Sequence, residues 1–258
     1  MALAPARMSG LRATGRNPSP FDAELIAYYD DLLAQFGMTV DERLLADGRN
    51  IGHTELAETV TRGFGAARPD LILLAYAIPD LHPLRTVSAY VNHLLGGQAR
   101  SMAISEQGLR APYTALRVAD AAHRGGGCDQ ALILVLEQTT LPYRDPLVHD
   151  TPLSDTAVAL LLEPADTAGW QRPWSGTPDQ LTAMIDESDG CLVVAGPWVR
   201  TDRSANVHRC AEGTYCTSVW LALAENHHRW RDQYTSILLA DVDPRTGHAH
   251  AVRLEVSA

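Results

Sequence analysis

The sequence predicts an α/β protein made of two strand–helix halves, the second smaller than the first. Two observations carry this. Strand and helix signals alternate through both halves, as they do in layered α/β proteins. The run at 70–77, Asp-Leu-Ile-Leu-Leu-Ala-Tyr-Ala, is apolar almost without a break and lies between Pro69 and Pro79. Strands of parallel sheets read this way, because helices cover both of their faces.

In the first half, Leu25, Tyr28, Tyr29, Leu32, Leu33 and Phe36 recur at helical spacing, and Gly37 follows as a stop. A second, shorter helix is expected over 54–64. After the strand at 70–77 come a helix over 86–95 ended by Gly96 and Gly97, a short strand over 101–105, and a long helix over 111–123. Gly125, Gly126 and Gly127 end that helix. They follow a helix and precede a strand, the reverse of a phosphate-binding turn. Strands at 129–137 and 157–163 close the half. The stretch 166–177, rich in Pro, Gly and Trp, reads as a connection. In the second half a helix at 179–185, a strand at 191–195, a helix at 217–226 and strands at 236–241 and 248–256 follow. The last alternates like a half-buried edge strand. Residues 1–20 read as a flexible tail, 21–165 as the first half and 166–258 as the second.

Composition narrows the function. The chain has 258 residues, 46% of them hydrophobic, enough for one large domain or two small packed ones. The formal net charge is −10, and all 21 basic residues are arginine. Binding to nucleic acid or an anionic membrane surface needs clustered positive charge, so neither partner is expected. A local basic patch for a coenzyme A or phosphopantetheine phosphate remains compatible. Apolar runs such as 131–136 and 157–162 stop far short of the ~20 residues that span a bilayer. Residues 1–16 have no apolar signal core. Cys128, Cys191, Cys210 and Cys216 show no disulfide-rich density and no Cys-x-x-Cys spacing, which suits a reducing cytoplasm.

Five places then resemble the ketoacyl synthase III branch of the thiolase superfamily. The strand at 70–77 runs into Ile78-Pro79-Asp80, similar to that family's Thr-x-x-Pro-Asp loop. Ser-Met-Ala-Ile-Ser-Glu-Gln-Gly at 101–108, followed by Tyr-Thr-Ala-Leu-Arg-Val-Ala at 113–119, resembles the strand and helix around the family's nucleophile. Leu-Ser-Asp-Thr-Ala-Val-Ala at 153–159 stands where the family has a Gly-Asp-Gly-Ala strand. Residues 206–209 with 213–223 resemble its Gly-Asn-Thr segment and helix, and 237–240 with 249–253 its closing strands. The likeness covers roughly 56–253.

The resemblance implies a thiolase-like fold: two similar βα halves about a pseudo-twofold axis, layered αβαβα, each with a buried central helix. It also implies what is missing. Leu109 stands at the position of the family's cysteine, Gly196 at that of its histidine and Thr214 at that of its asparagine. A register anchored on Gly108 would put Glu106 at the cysteine position instead. Neither residue is a thiol, and leucine forms no acyl-enzyme. The connection from Gly196 to Gly213 is also too short for the family's helix there. Asp155 matches the Gly-Asp-Gly-Ala aspartate, a structural role.

The expectation that follows is a non-catalytic ketosynthase-like subunit. It would pair with an active ketosynthase, in the manner of a chain-length factor, and serve an acyl carrier protein in polyketide or fatty-acyl assembly. The dimer would form through the first half, with Met102, Ser105, Gln107 and Tyr90 at the interface. The competing expectation is an acyltransferase, cyclase or hydrolase acting on a carrier-bound thioester, using Glu106, His208 or Cys210. A third is a homodimeric acyl-binding protein. His208, Cys210 and Cys216 cluster without a zinc spacing, and His227 and His228 suit a helix C-terminus. No metal or other cofactor is expected.

Overall fold

The computed structural model describes residues 2–65, 67–166 and 169–256. The first half runs β1 (Ala2–Arg12), α1 (Ala23–Ala34), α2 (Glu42–Asp47), α3 (His53–Thr61), β2 (Leu71–Tyr76) and α4 (Val87–Leu94). It continues with β3 (Arg100–Ile104), α5 (Arg110–Arg124), β4 (Ala131–Glu137), α6 (Pro146–His149) and β5 (Thr156–Ala165). The second half runs β6 (Gly169–Trp170), β7 (Trp174–Gly176), α7 (Pro178–Asp186), β8 (Leu192–Ala195) and β9 (Val207–Arg209). It ends with α8 (Ser218–Trp230), β10 (Ser236–Val242) and β11 (Ala249–Glu255).

Local chemistry sets several boundaries. Asp22 starts α1 by accepting the Leu25 N–H at 2.9 Å. Thr177 and Gln180 cap α7 reciprocally, with Pro178 at its first position. Gly126, at φ +71°, turns the chain off the end of α5.

The two sheets share one topology. The first has the order β1-β5-β4-β2-β3, and the second β6-β11-β10-β8-β9, with β7 also paired to β11. In each, the last three strands of the order are parallel and the remaining pairings antiparallel. α5 joins β3 to β4 just as α8 joins β9 to β10. One element breaks the repeat: α4 links β2 to β3, whereas residues 196–206 link β8 to β9 without a helix. That is the reduction of the second half.

Three apolar clusters define the layers. α5 and α8 pack between the inner faces of the two sheets, around Tyr113, Leu116, Val219 and Trp220. α3 and α4 cover the outer face of the first sheet through Leu56, Val60 and Val91. α7 covers the second through Leu181 and Ile185. The result is the αβαβα stack. No helix among the described residues is long and apolar enough to cross a membrane.

Four expectations need correction. The segment expected to be a tail holds β1, antiparallel to β5 along its whole length, with a register shift between Pro5 and Arg7. Its backbone finds partners in β5, so its modest hydrophobicity suffices. β11 is not an edge strand, because β6 and β7 pair with its far side. Those two strands occupy the segment expected to be a plain connection. Finally, α8 runs through His227 and His228 to Trp230, whose ring is buried and holds the last turn.

Leu3 lies on β1 in the central core, 3% exposed. Leu3→Ala should therefore cost about 2–5 kcal/mol, as buried truncations do. A urea titration would show it; a tail residue would shift stability by less than about 0.5 kcal/mol.

Candidate active site at the junction of the halves

The C-terminal ends of β2, β3, β4 and β10 converge where the N-termini of α5 and α8 meet. Gly108 leads into α5 at φ +54°, and a Cβ there would lie 2.2 Å from Asp243 Oδ2. Glycine is thus required twice, for the backbone conformation and for the close approach. Asp243 is buried directly after β10. Its Oδ2 accepts the Leu109 N–H at 3.2 Å. Its Oδ1 accepts the Tyr215 hydroxyl at 3.0 Å and the Arg245 N–H at 2.8 Å. The next amides, of Arg110 and Ala111, bond back to Gln107 and Gly108 carbonyls.

α8 is closed in the same manner. Glu137, fully buried at the end of β4, accepts the Tyr215 N–H at 2.9 Å on Oε1 and the Thr217 N–H at 3.3 Å on Oε2. Cys216 N–H also donates to Oε2. Burial pushes the Glu137 carboxyl up to about 7, while these amide donors pull the other way. Each half therefore supplies the acid that closes the other half's central helix.

The three positions of the family pattern lie around this junction. Leu109 is a buried aliphatic side chain at the head of α5. Gly196 follows β8, and a Cβ there would fall 2.2 Å from Asp241 Oδ1. Asp241 is itself buried, and desolvation pushes its carboxyl well up. A histidine has no room at 196 while Asp241 keeps its place. Thr214 is buried in the turn before α8.

The alternative candidates separate. Glu106 adopts φ +59° and lines the cavity described below; it makes no cap bond to α5. His208 lies on β9 with its ring 5.0 Å from that of Trp230, outside that cavity. Cys210 also lies outside it, and burial first, then Asp241, pushes its thiol up to about 12. Since the thiolate is the nucleophile, this cysteine is inert near neutral pH. Among the described residues no group of three His, Cys, Asp or Glu side chains is placed to hold a metal ion. Asp155 Oδ1 accepts both the N–H and the hydroxyl of Thr139, at 2.7 and 2.8 Å.

Two cavities adjoin, sharing Tyr76, Pro79, Glu106 and Tyr143. The larger, about 970 Å³, is lined by Glu106, Arg110, Ser175, Tyr215, Arg245 and His250 among others. The smaller, about 710 Å³, is mostly apolar, with Leu32, Leu33, Phe36 and His53 in its wall. Two arginines, Arg110 and Arg245, line the larger cavity together with the acids Glu106 and Asp243, and Arg245 is paired with Asp145 at 2.9 Å. Gln107, exposed, and Ser105, half-buried, also line the larger cavity, whereas Met102 on β3 and Tyr90 on α4 are exposed outside it. The outer edge of β3 pairs with no strand among the described residues.

The chain matches no protein-family model, and no curated protein matches it in sequence. Its structure is similar to solved ketosynthases. A 3-oxoacyl-(acyl carrier protein) synthase III from Pseudomonas aeruginosa superposes with a TM-score of 0.67 at 13% identity, covering 100% of this chain and 99% of that one. The enzyme of the same name from Aquifex aeolicus gives 0.65 at 14%, covering 98% and 100%. Xanthomonas campestris OleA, in a structure with bound lauric acid and lauroyl-CoA, gives 0.64 at 12%, covering 99% of each chain. The chain thus has the thiolase-type fold of the ketosynthases.

Glu137 generates a pH prediction. Its folded pKa lies above its unfolded value, so the folded state holds the extra proton. Its contribution to stability is lost as pH rises from about 4.5 to about 7. Glu137→Gln has no such titration. The stability of the natural protein relative to that variant should fall across this window in paired urea titrations. A constant difference would contradict it.

Proposed function

We propose that this chain is a ketosynthase-like subunit that does not itself condense acyl chains and that pairs with an active ketosynthase through the edge of its first sheet. The observation that carries the reading is Asp243 on the Leu109 N–H. In a ketosynthase-type site the free N-terminus of the central helix lowers a thiol's pKa and holds an oxyanion. Here the thiol position is leucine, and the amide that would receive the oxyanion already holds an acidic side chain. With Gly196 and Thr214 at the other two positions, the histidine and asparagine that stabilise an enolate in such a site have no counterpart at those positions.

The surface supports the pairing. β3 ends the first sheet with an open edge, and an edge strand is a template for another chain. Met102 on β3 is 44% exposed, Leu94 at the end of α4 43%, and Leu84 in the turn before α4 77%. Exposed apolar side chains beside an open sheet edge suit a partner surface. A polar cavity with Arg110 in its wall beside an apolar one suits an acyl group on a phosphopantetheine arm, in fatty-acyl or polyketide assembly. A second reading, an enzyme of altered chemistry on acyl thioesters, is favoured by Ser175 and His250, which line that cavity in hydrogen-bond contact.

Tagged protein from its native host should co-purify with a full-length ketosynthase in equal amount. Met102→Asp should weaken that association at least about 30-fold, the effect of ~2 kcal/mol at an interface centre, while leaving the fold intact by circular dichroism. Recovery of a monomer that binds no ketosynthase would overturn the reading.

A further inference from the structure

We propose that Ser175 and His250 form an acyl-accepting dyad, with Ser175 Oγ as nucleophile and His250 Nδ1 as its base. That the acyl donor is a thioester rests on the functional reading above; the dyad itself rests on geometry. Ser175 on β7 and His250 on β11 are directly opposed in an antiparallel pair, so their side chains share one face of the sheet. Ser175 Oγ lies 2.9 Å from His250 Nδ1, within the range a nucleophile–base pair requires. The serine is exposed, and both residues line the 970 Å³ cavity. The imidazole is buried beneath it, 5.6 Å from the Tyr113 ring.

The chemistry balances within these groups. Ser175 Oγ attacks the thioester carbonyl, and its proton passes to His250 Nδ1. Collapse of the tetrahedral intermediate breaks the C–S bond, and the leaving thiolate takes that proton and departs as a thiol. The serine is left as an ester. Water then attacks the ester, His250 accepting its proton and returning one to Ser175. The products are the free acid and the original serine. Arg110, lining the same cavity, supplies positive charge for the developing oxyanion. The condensation that Leu109 forbids is not needed for this step.

The surroundings of His250 set its pH behaviour. Burial lowers its pKa to about 4; Asp243, in the turn before β11, acts against this, while Arg110 on α5 and His248 at the start of the strand add to it. Tyr113 on α5 and Ser175 on β7 complete the packing around it. The imidazole therefore stays neutral, and able to accept a proton, down to about pH 4. A weaker base transfers protons more slowly, so slow turnover with an acid-shifted profile is expected.

The full chain, incubated with p-nitrophenyl acetate and separately with acetyl coenzyme A, tests this by intact-mass and peptide mass spectrometry. One acetyl group on the peptide containing Ser175 is expected from both donors. Ser175→Ala should abolish it, and His250→Gln should slow it at least about 100-fold. Ser175→Cys should restore labelling by the thioester, which a merely structural serine would not do. The acylation rate should hold level from neutral pH to about 5 and fall towards 4. No label from either donor, or a label retained in Ser175→Ala, overturns the dyad. A label from the ester alone keeps the dyad and overturns the thioester donor. Coenzyme A binding to Ser175→Ala, read by calorimetry, separates failure of the dyad from failure of the substrate reading.

Discussion

Two buried acids hold the centre of this protein together. Glu137, at the end of β4, closes the N-terminus of α8. Asp243, just after β10, closes the N-terminus of α5. Because β4 belongs with α5 and β10 with α8, each half reaches across the pseudo-twofold axis to satisfy the other. The physical demand is plain: the amides of the turns that lead into these helices have no carbonyl of their own helix to bond, and burying them unpaired is costly. Here they lie between two sheets, away from water. An acidic side chain is well suited to that place, since its oxygens accept several donors and the helix dipole favours negative charge there.

This arrangement also fixes what chemistry the junction can do. A ketosynthase-type mechanism uses the polarity of a helix terminus for catalysis. In this chain the amide of Leu109, at that terminus, is already bonded to Asp243. Two glycines at the junction are tied to the acids beside them. Gly196 makes room for Asp241, and Gly108 makes room for Asp243. At the junction, acids and glycines pack in mutual dependence. What remains open is the cavity above it, where Ser175 and His250 meet.

Much of the fold was legible in the sequence because its strands are buried on both faces. Continuous apolar runs such as 71–76 and 131–136 admit few other readings. β1 was not legible. It is an outer strand with Pro5, Gly10 and two arginines within it, and its identity comes from pairing with β5, at the opposite end of the half. β6, β7 and β9 are too short for periodicity to register, at two to three residues each. In the site, the family pattern led to Leu109, Gly196 and Thr214, and Glu106 does line the cavity. His208 and Cys210 were drawn by residue type alone, and burial disqualifies the thiol. Asp243, Glu137, Ser175 and His250 carried no local motif. Ser175 and His250 meet only through the β7–β11 register; an acid at the end of each apolar strand was the one signal that pointed to the other pair.

The reciprocal closure of α5 and α8 has a consequence for how the chain folds. Neither half satisfies the turn into its own central helix, since the acid that holds that turn comes from the other. A half folded alone would leave several amides, or a buried acid, without a counterpart. The equilibrium should accordingly pass between fully folded and fully unfolded chains, with the amides at the heads of both helices among the slowest to exchange with solvent. Two units of one repeating topology have become a single cooperative body.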